Sequence, residues 1–126
     1  MLRTVLKAEI CSGADLVIKY SGLPGALKGA TLVITGEGCS DEQTLCGKLC
    51  AVTAAYAAAE GVPAVLVSGA VKGDVRALEK VFFGVFSISP GAVSLEEAMA
   101  STAENLRLAG ANLAALADVF GKGGEK

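Results

Sequence analysis

Two short apolar runs limit this chain more than any other feature. Ala30-Thr31-Leu32-Val33-Ile34-Thr35 and Pro63-Ala64-Val65-Leu66-Val67-Ser68 are almost uninterrupted by polar side chains, and glycines bound them. A strand with one solvated face alternates apolar and polar residues. A near-continuous run is the pattern of a parallel strand covered on both faces. Between the runs lies Leu45 to Glu60, rich in alanine and closed by Gly61-Val62-Pro63. Alanine favours helix, glycine ends one, and proline then starts the next strand. Strand, loop, helix and strand make a βαβ unit, whose crossover is expected to be right-handed.

The rest of the chain extends that unit. Asp74 to Lys80 reads as a second, shorter helix, and Val81 to Ile88 as a third strand with its core at Gly84 to Ile88. Ser94-Leu95-Glu96-Glu97 has capping-box spacing. After it, Leu95, Met99, Thr102, Leu106, Ala109, Leu113, Leu116 and Phe120 recur in alternating steps of four and three. That stripe predicts one long amphipathic helix, bent near Gly110, with its apolar side in the core. Asp15 to Tyr20 fits a strand or a helix; Ser12 as a cap and Gly22 as a stop favour the helix. The expected fold is a single three-layer α/β domain over 1–126: a mainly parallel sheet flanked by helices, a long C-terminal helix, and a frayed tail at 121–126.

Composition fits this fold and narrows the function. A chain of 126 residues, 52% hydrophobic and only 5% aromatic, must build its core from Ala, Val, Leu and Ile. A net charge of −2, with both signs interspersed, gives no basic face for nucleic acid. The longest uncharged run, Val81 to Leu95, is broken by Gly84, Pro90 and Gly91, so no membrane span is expected. Met1 to Lys7 has no continuous apolar core of the signal-peptide kind. These features point to a cytoplasmic protein. The four cysteines, Cys11, Cys39, Cys46 and Cys50, read as reduced structural thiols. A zinc site of Cys39, Cys46 and Cys50 is conceivable, but the chain has no histidine and no Cys-x-x-Cys pair.

Chemistry concentrates between the first strand and the helix. Thr35-Gly36-Glu37-Gly38-Cys39-Ser40-Asp41-Glu42-Gln43-Thr44-Leu45-Cys46-Gly47-Lys48 is expected to lie at a strand's carboxyl end, where open α/β sheets bind ligands. Glycines there allow close backbone approach, and a helix N-terminus attracts phosphate. Gly47-Lys48 is not a P-loop: the leading glycine would fall at Glu42, and Leu49 replaces the Ser or Thr. A dinucleotide fingerprint fails at Asp41. The carboxylates of Glu37, Asp41 and Glu42, with Thr35, Gln43, Thr44 and Lys48, are groups that phosphoryl transfer uses. Carboxylates hold Mg²⁺ or accept a proton, and a cation offsets charge. The alternative is an ordinary solvated loop in which Asp41 caps the next helix.

These residues carry a resemblance. Ala30 to Gly38, Asp41, Gln43-Thr44-Leu45 and Gly47-Lys48 resemble the most distinctive motif of bacterial-type glycerate kinases. Similarity continues at Gly13-Ala14-Asp15-Leu16-Val17, Gly61 to Val65, Ser68-Gly69-Ala70-Val71, Phe86 to Gly91 and Ser94 to Ala98. The resemblance implies transfer of the γ-phosphoryl group of ATP to glycerate with Mg²⁺, in two α/β domains of a longer chain. Only the C-terminal portion is matched. Nothing resembles the family's Asp-Ser-Phe-Lys-Gly segment or its Gly-Gly-rich middle. On the resemblance, Glu37, Asp41 and Lys48 are the candidate catalytic residues, with Glu37 and Asp41 as possible Mg²⁺ ligands. Thr35, Gly36, Gly38, Gln43, Thr44 and Gly47 are candidates for substrate or phosphate binding. The chain alone is expected to be inactive and to form a homo-oligomer. The competing reading is a non-catalytic α/β binding or oligomerisation module derived from the kinase.

Overall fold

The computed structural model describes Lys7 and residues 11–122. The N-terminal segment read above therefore lies, Lys7 apart, outside the described residues, as do 123–126 of the tail. In chain order the elements are α1 (Gly13–Ser21), α2 (Leu23–Ala26), β1 (Val33–Ser40), a 3-10 turn (Glu42–Leu45) and α3 (Leu49–Ala59). Then come β2 (Ala64–Val71), α4 (Val75–Glu79), β3 (Gly84–Ser87), α5 (Leu95–Ala100) and α6 (Thr102–Lys122).

The three strands form one parallel sheet in the order β1-β2-β3. Val33 pairs with Ala64 at one end of β1 and Ser40 with Val71 at the other. Helices flank the sheet, and its two faces are closed to different degrees. On the first face Val33, Ala64 and Leu66 pack with Leu27, Cys50, Ala54, Ala57, Val62, Leu78 and Phe82. Ala54 and Ala57 present only methyl groups, so α3 lies close to the strands. Complete burial of Leu66 and Phe82 contributes roughly 1.5–3 kcal/mol each. On the second face Val65 and Val67 meet Leu113 of α6, joined by half-buried Leu32 and Ile88.

Local signals account for the helix ends. Ser12 accepts the Asp15 N–H and Gly22 adopts the left-handed conformation, so the segment that could have been a strand is helical. Ser94 Oγ accepts the Glu97 N–H at 3.2 Å, and the Ser94 N–H donates to Glu97 Oε2 at 2.9 Å. This is the capping box expected from the spacing.

Several boundaries differ from the sequence reading. β1 begins at Val33 and runs on to Ser40, so Gly36 to Ser40, read as loop, is strand. Helix does not begin at Leu45. Asp41 and Thr44 cap a 3-10 turn instead, Gly47 turns the chain at φ +75°, and α3 starts at Leu49. β3 starts later than Val81, because the Phe82 side chain plugs the first core at the end of α4. The C-terminal helix is interrupted at Ser101, where Thr102 Oγ1 donates to the Ala98 carbonyl at 3.0 Å, and it continues unbroken past Gly110. Its apolar stripe is not core. Only Leu113 is buried, while Leu95, Met99, Leu106 and Leu116 are exposed, and the Phe120 side chain lies outside the described residues. Gly121 and Lys122 continue the helix rather than a frayed tail.

β1 and β2 approach closely at two glycines. A β-carbon on Gly36 would collide with the Val67 carbonyl oxygen, and one on Gly69 would lie 2.6 Å from the Gly38 carbonyl oxygen. Gly38 itself faces open space. Gly36→Ala is therefore expected to destabilise the fold by about 2–3 kcal/mol, and Gly38→Ala by under about 0.5 kcal/mol. Urea unfolding followed by circular dichroism compares the two. Equal midpoints would show that the close approach is not a constraint.

Candidate functional site

The carboxyl end of β1 brings three hydroxyls and one carboxylate together. Glu37 Oε1 accepts from Ser40 Oγ at 2.8 Å and from Thr44 Oγ1 at 2.5 Å. Ser40 Oγ also meets Ser68 Oγ of β2 at 2.5 Å. The Asp41 N–H donates to Thr44 Oγ1 at 3.2 Å. Each hydroxyl has one proton, which fixes the directions. Ser40 and Thr44 spend theirs on Glu37, so Ser68 donates to Ser40. Ser40, Thr44 and Ser68 are at most 1% exposed, and among the described residues no buried side-chain oxygen or nitrogen lacks a partner. Glu37 Oε2 accepts no hydrogen bond among the described residues.

Beside this cluster lies a groove of about 760 Å³, between the second face of the sheet and α5/α6. Ile34, Val67, Leu95, Met99 and Leu106 form its apolar part. Glu37, Ser68, Lys72 and Ser89 line it as well. Ser89 Oγ donates to the Gly69 carbonyl at 2.9 Å, and the Lys72 N–H donates to the Ser40 carbonyl at 2.9 Å.

The structure divides the sequence candidates into two groups. Thr35, Gly36, Glu37 and Gly38 line the groove. Thr44 is buried behind Glu37 and holds it. Asp41 caps the 3-10 turn: its Oδ1 accepts the Gln43 N–H at 2.8 Å. Gln43 is exposed within that turn, and Gly47 and Lys48 connect it to α3. Asp41, Gln43, Gly47 and Lys48 do not line the groove. Ser40, Ser68, Lys72 and Ser89 were not singled out from the sequence. Ser40 lay within the candidate stretch, and Ser68 and Ser89 within segments of the resemblance, without a role; for Lys72 the signal was position, since a strand's last residues and the loop after it face the ligand side of such a sheet.

No group of three or more possible metal-ligating residues occurs among the described residues, so the three cysteines do not form a zinc site. Cys11, Cys39 and Cys46 are exposed and Cys50 is buried, all as free thiols. Burial pushes the Cys50 thiol pKa up. A hydrogen bond with Thr35 works against that shift, the negative charge of Glu37 adds to it, and Lys48 lowers it. Cys50 therefore sits under the site and feels both of its charged neighbours. Among the described residues no helix is long and apolar enough to cross a membrane.

Residues 1–118 match the family model described as the glycerate kinase family. Proteins named glycerate kinase from Bacillus cereus and Bacillus subtilis are each 36% identical, over 113 and 115 residues. The matches cover 89% and 90% of this chain but 30% of each relative. A protein named glycerate 2-kinase from Escherichia coli is 32% identical over 115 residues, again 30% of its length. A crystal structure described as that of a glycerate kinase 2 from Salmonella typhimurium superposes with a TM-score of 0.70 at 29% identity. It covers 96% of this chain and 31% of that one. The chain thus spans about 30% of the length of the relatives it matches.

Two measurements check this geometry. Thr44→Val keeps the shape but removes one hydroxyl from Glu37 and from the Asp41 cap. It is expected to lower stability by roughly 1–3 kcal/mol, with Thr44→Ser recovering much of the loss. Iodoacetamide at mildly alkaline pH should modify Cys11, Cys39 and Cys46 rapidly and Cys50 only after denaturation, as read by mass spectrometry. The folded Cys50 thiol keeps its proton to higher pH than the unfolded one. Its contribution to stability is therefore complete below the unfolded pKa and is lost as pH rises through the folded pKa.

Proposed function

The chain belongs to the glycerate kinase family, and from that premise we propose that it forms one wall of a site that transfers a phosphoryl group from ATP to a hydroxyl of glycerate. The observation that carries this reading is Glu37. It sits at the carboxyl end of a parallel strand and lines a groove, with one oxygen held by two hydroxyls and the other uncommitted. Phosphoryl transfer relies on positioning and charge stabilisation rather than on covalent steps by the protein. A carboxylate fixed by hydroxyls that are themselves buried is already positioned before substrate arrives.

In this reading Glu37 accepts the proton of the attacking hydroxyl or supplies a carboxylate oxygen to Mg²⁺. The donor set suits Mg²⁺, which takes one or two carboxylates and completes its shell with water and phosphate oxygens. When bound, Mg²⁺ would offset the charge of the transferred group. Asp41, four residues on, offers a second carboxylate while capping its turn. Lys48, whose charge acts on the same buried thiol as that of Glu37, brings positive charge to the neighbourhood of Cys50. Gly38 leaves open space beside its backbone where substrate can approach, while Gly36 serves the close packing of β1 on β2.

One wall does not make a closed site. The 126 residues alone are expected to show no turnover in a coupled assay with ATP, Mg²⁺ and D-glycerate. Turnover that tracks the protein through gel filtration would overturn this. The apolar residues exposed on α6, Leu108, Leu116 and Val119 among them, favour self-association, and a dimer or larger assembly is expected in the same run. In a complete kinase containing this segment, Glu37→Gln or Asp41→Asn should reduce kcat at least about tenfold while the melting temperature changes little, as general-base or metal roles require. Near-normal kcat in both variants would remove the loop from the mechanism.

A further inference from the structure

We infer that the groove takes the nucleotide rather than glycerate, with the base against its apolar part and the polyphosphate beside Lys72. This rests on the reading above and names which substrate the wall serves. Size is the first argument. At about 760 Å³ the groove is in the range of pockets that bury ligands of drug size. A three-carbon hydroxy acid would leave most of it unfilled.

Polarity is the second argument. Glycerate carries a polar oxygen on every carbon, and burying those against Ile34, Val67, Leu95, Met99 and Leu106 would leave them without partners. A purine offers two flat apolar faces to such a surface. The polar lining is concentrated further along the strands. Ile34 is opposite Val65 in the register and Gly36 opposite Val67; Glu37 is opposite Ser68, and Lys72 follows the last pair, Ser40 with Val71. Along β1 and β2 the lining therefore passes from Ile34 to Glu37, Ser68 and Lys72, with Ala70 and Ile88 also at that end, and a nucleotide laid in the strand direction would set its base at Ile34 and its phosphates at Lys72.

Charge is the third argument. Among the described residues Lys72 is the only Lys or Arg that lines the groove, and its backbone N–H donates to the Ser40 carbonyl at the end of β1. Lys48 is not part of the lining. Glu37 on the same floor repels a bare polyphosphate and admits it as its magnesium complex, the form in which nucleotides are used.

The test is methyl and amide NMR on the 126-residue chain with four probes: Mg²⁺–ATP, adenosine, Mg²⁺–tripolyphosphate and D-glycerate. Mg²⁺–ATP and adenosine are expected to shift the methyl signals of Ile34, Met99 and Leu106. Tripolyphosphate should move the amides of Gly69 and Lys72 and leave those methyls in place. Glycerate should leave the methyl signals of Ile34, Met99 and Leu106 unchanged. Lys72→Met, at an exposed position, should raise the Kd for Mg²⁺–ATP roughly 3- to 5-fold, the size an exposed ion pair supports, and leave adenosine unaffected. Groove methyls that respond to glycerate and not to adenosine would overturn this inference and leave the phosphoryl-transfer reading intact. An unchanged Mg²⁺–ATP affinity in Lys72→Met would overturn the role of Lys72. Silence from all four probes would overturn both the inference and the reading beneath it.

Discussion

The close approach of β1 and β2 is the constraint on which the candidate site depends. Two backbones in register with no side chain between them at Gly36 and Gly69 bring Glu37 beside Ser68, and that pairing sets the rest. Ser68 can then donate to Ser40, and Ser40 can spend its own proton on Glu37. A bulkier residue at either glycine would push the strands apart and break the buried contact between the two serines. The glycines of this motif are therefore read most economically as a packing requirement of the sheet. Open space at Gly38 makes it the one strand glycine here that leaves room for a ligand.

Much of the fold was legible because burial leaves a strong imprint on composition. Runs such as Ala64 to Val67 have few other homes than a covered parallel strand, and the alanines of α3 mark a helix that packs close. The boundaries were less legible. Gly36 to Ser40 contains two glycines and a glutamate, which favour a loop in isolation. The ladder to β2 overrides that preference, because each strand residue gains backbone partners. The apolar stripe of α6 misled for a related reason. Periodicity shows which residues share a face; it does not show what stands opposite, and among the described residues only Leu113 meets the sheet core.

The site was half legible. Glu37 stood out as one of three carboxylates in the stretch after a strand and as a position of the resembling motif. Thr44 was visible only as part of a motif, and its work is to hold Glu37 from behind. Ser68 and Lys72 lie more than thirty residues from Glu37 in sequence, beyond any local spacing rule, and reach it through strand pairing. Asp41 shows how one residue can satisfy two readings. Its cap on the turn is observed, with the side chain accepting the Gln43 N–H and completing a capping box with Thr44, and its part in chemistry is the proposal made above.

The unequal closure of the two faces has a consequence for how the molecule opens. The first face locks α3 and α4 to the sheet through a dense set of buried side chains. Among the described residues α6 contributes Leu113 alone to burial on the other face. Local unfolding follows such differences, since the free energy of opening scales with the apolar contact that must be broken. The amides of α6 should exchange with solvent through excursions that leave β1, β2 and α3 assembled. The part that carries Glu37 is then expected to open last, and α6, which lines the groove with Leu106, to open first. A ligand that touches both would be recorded in slower exchange along α6 before it altered anything in the sheet.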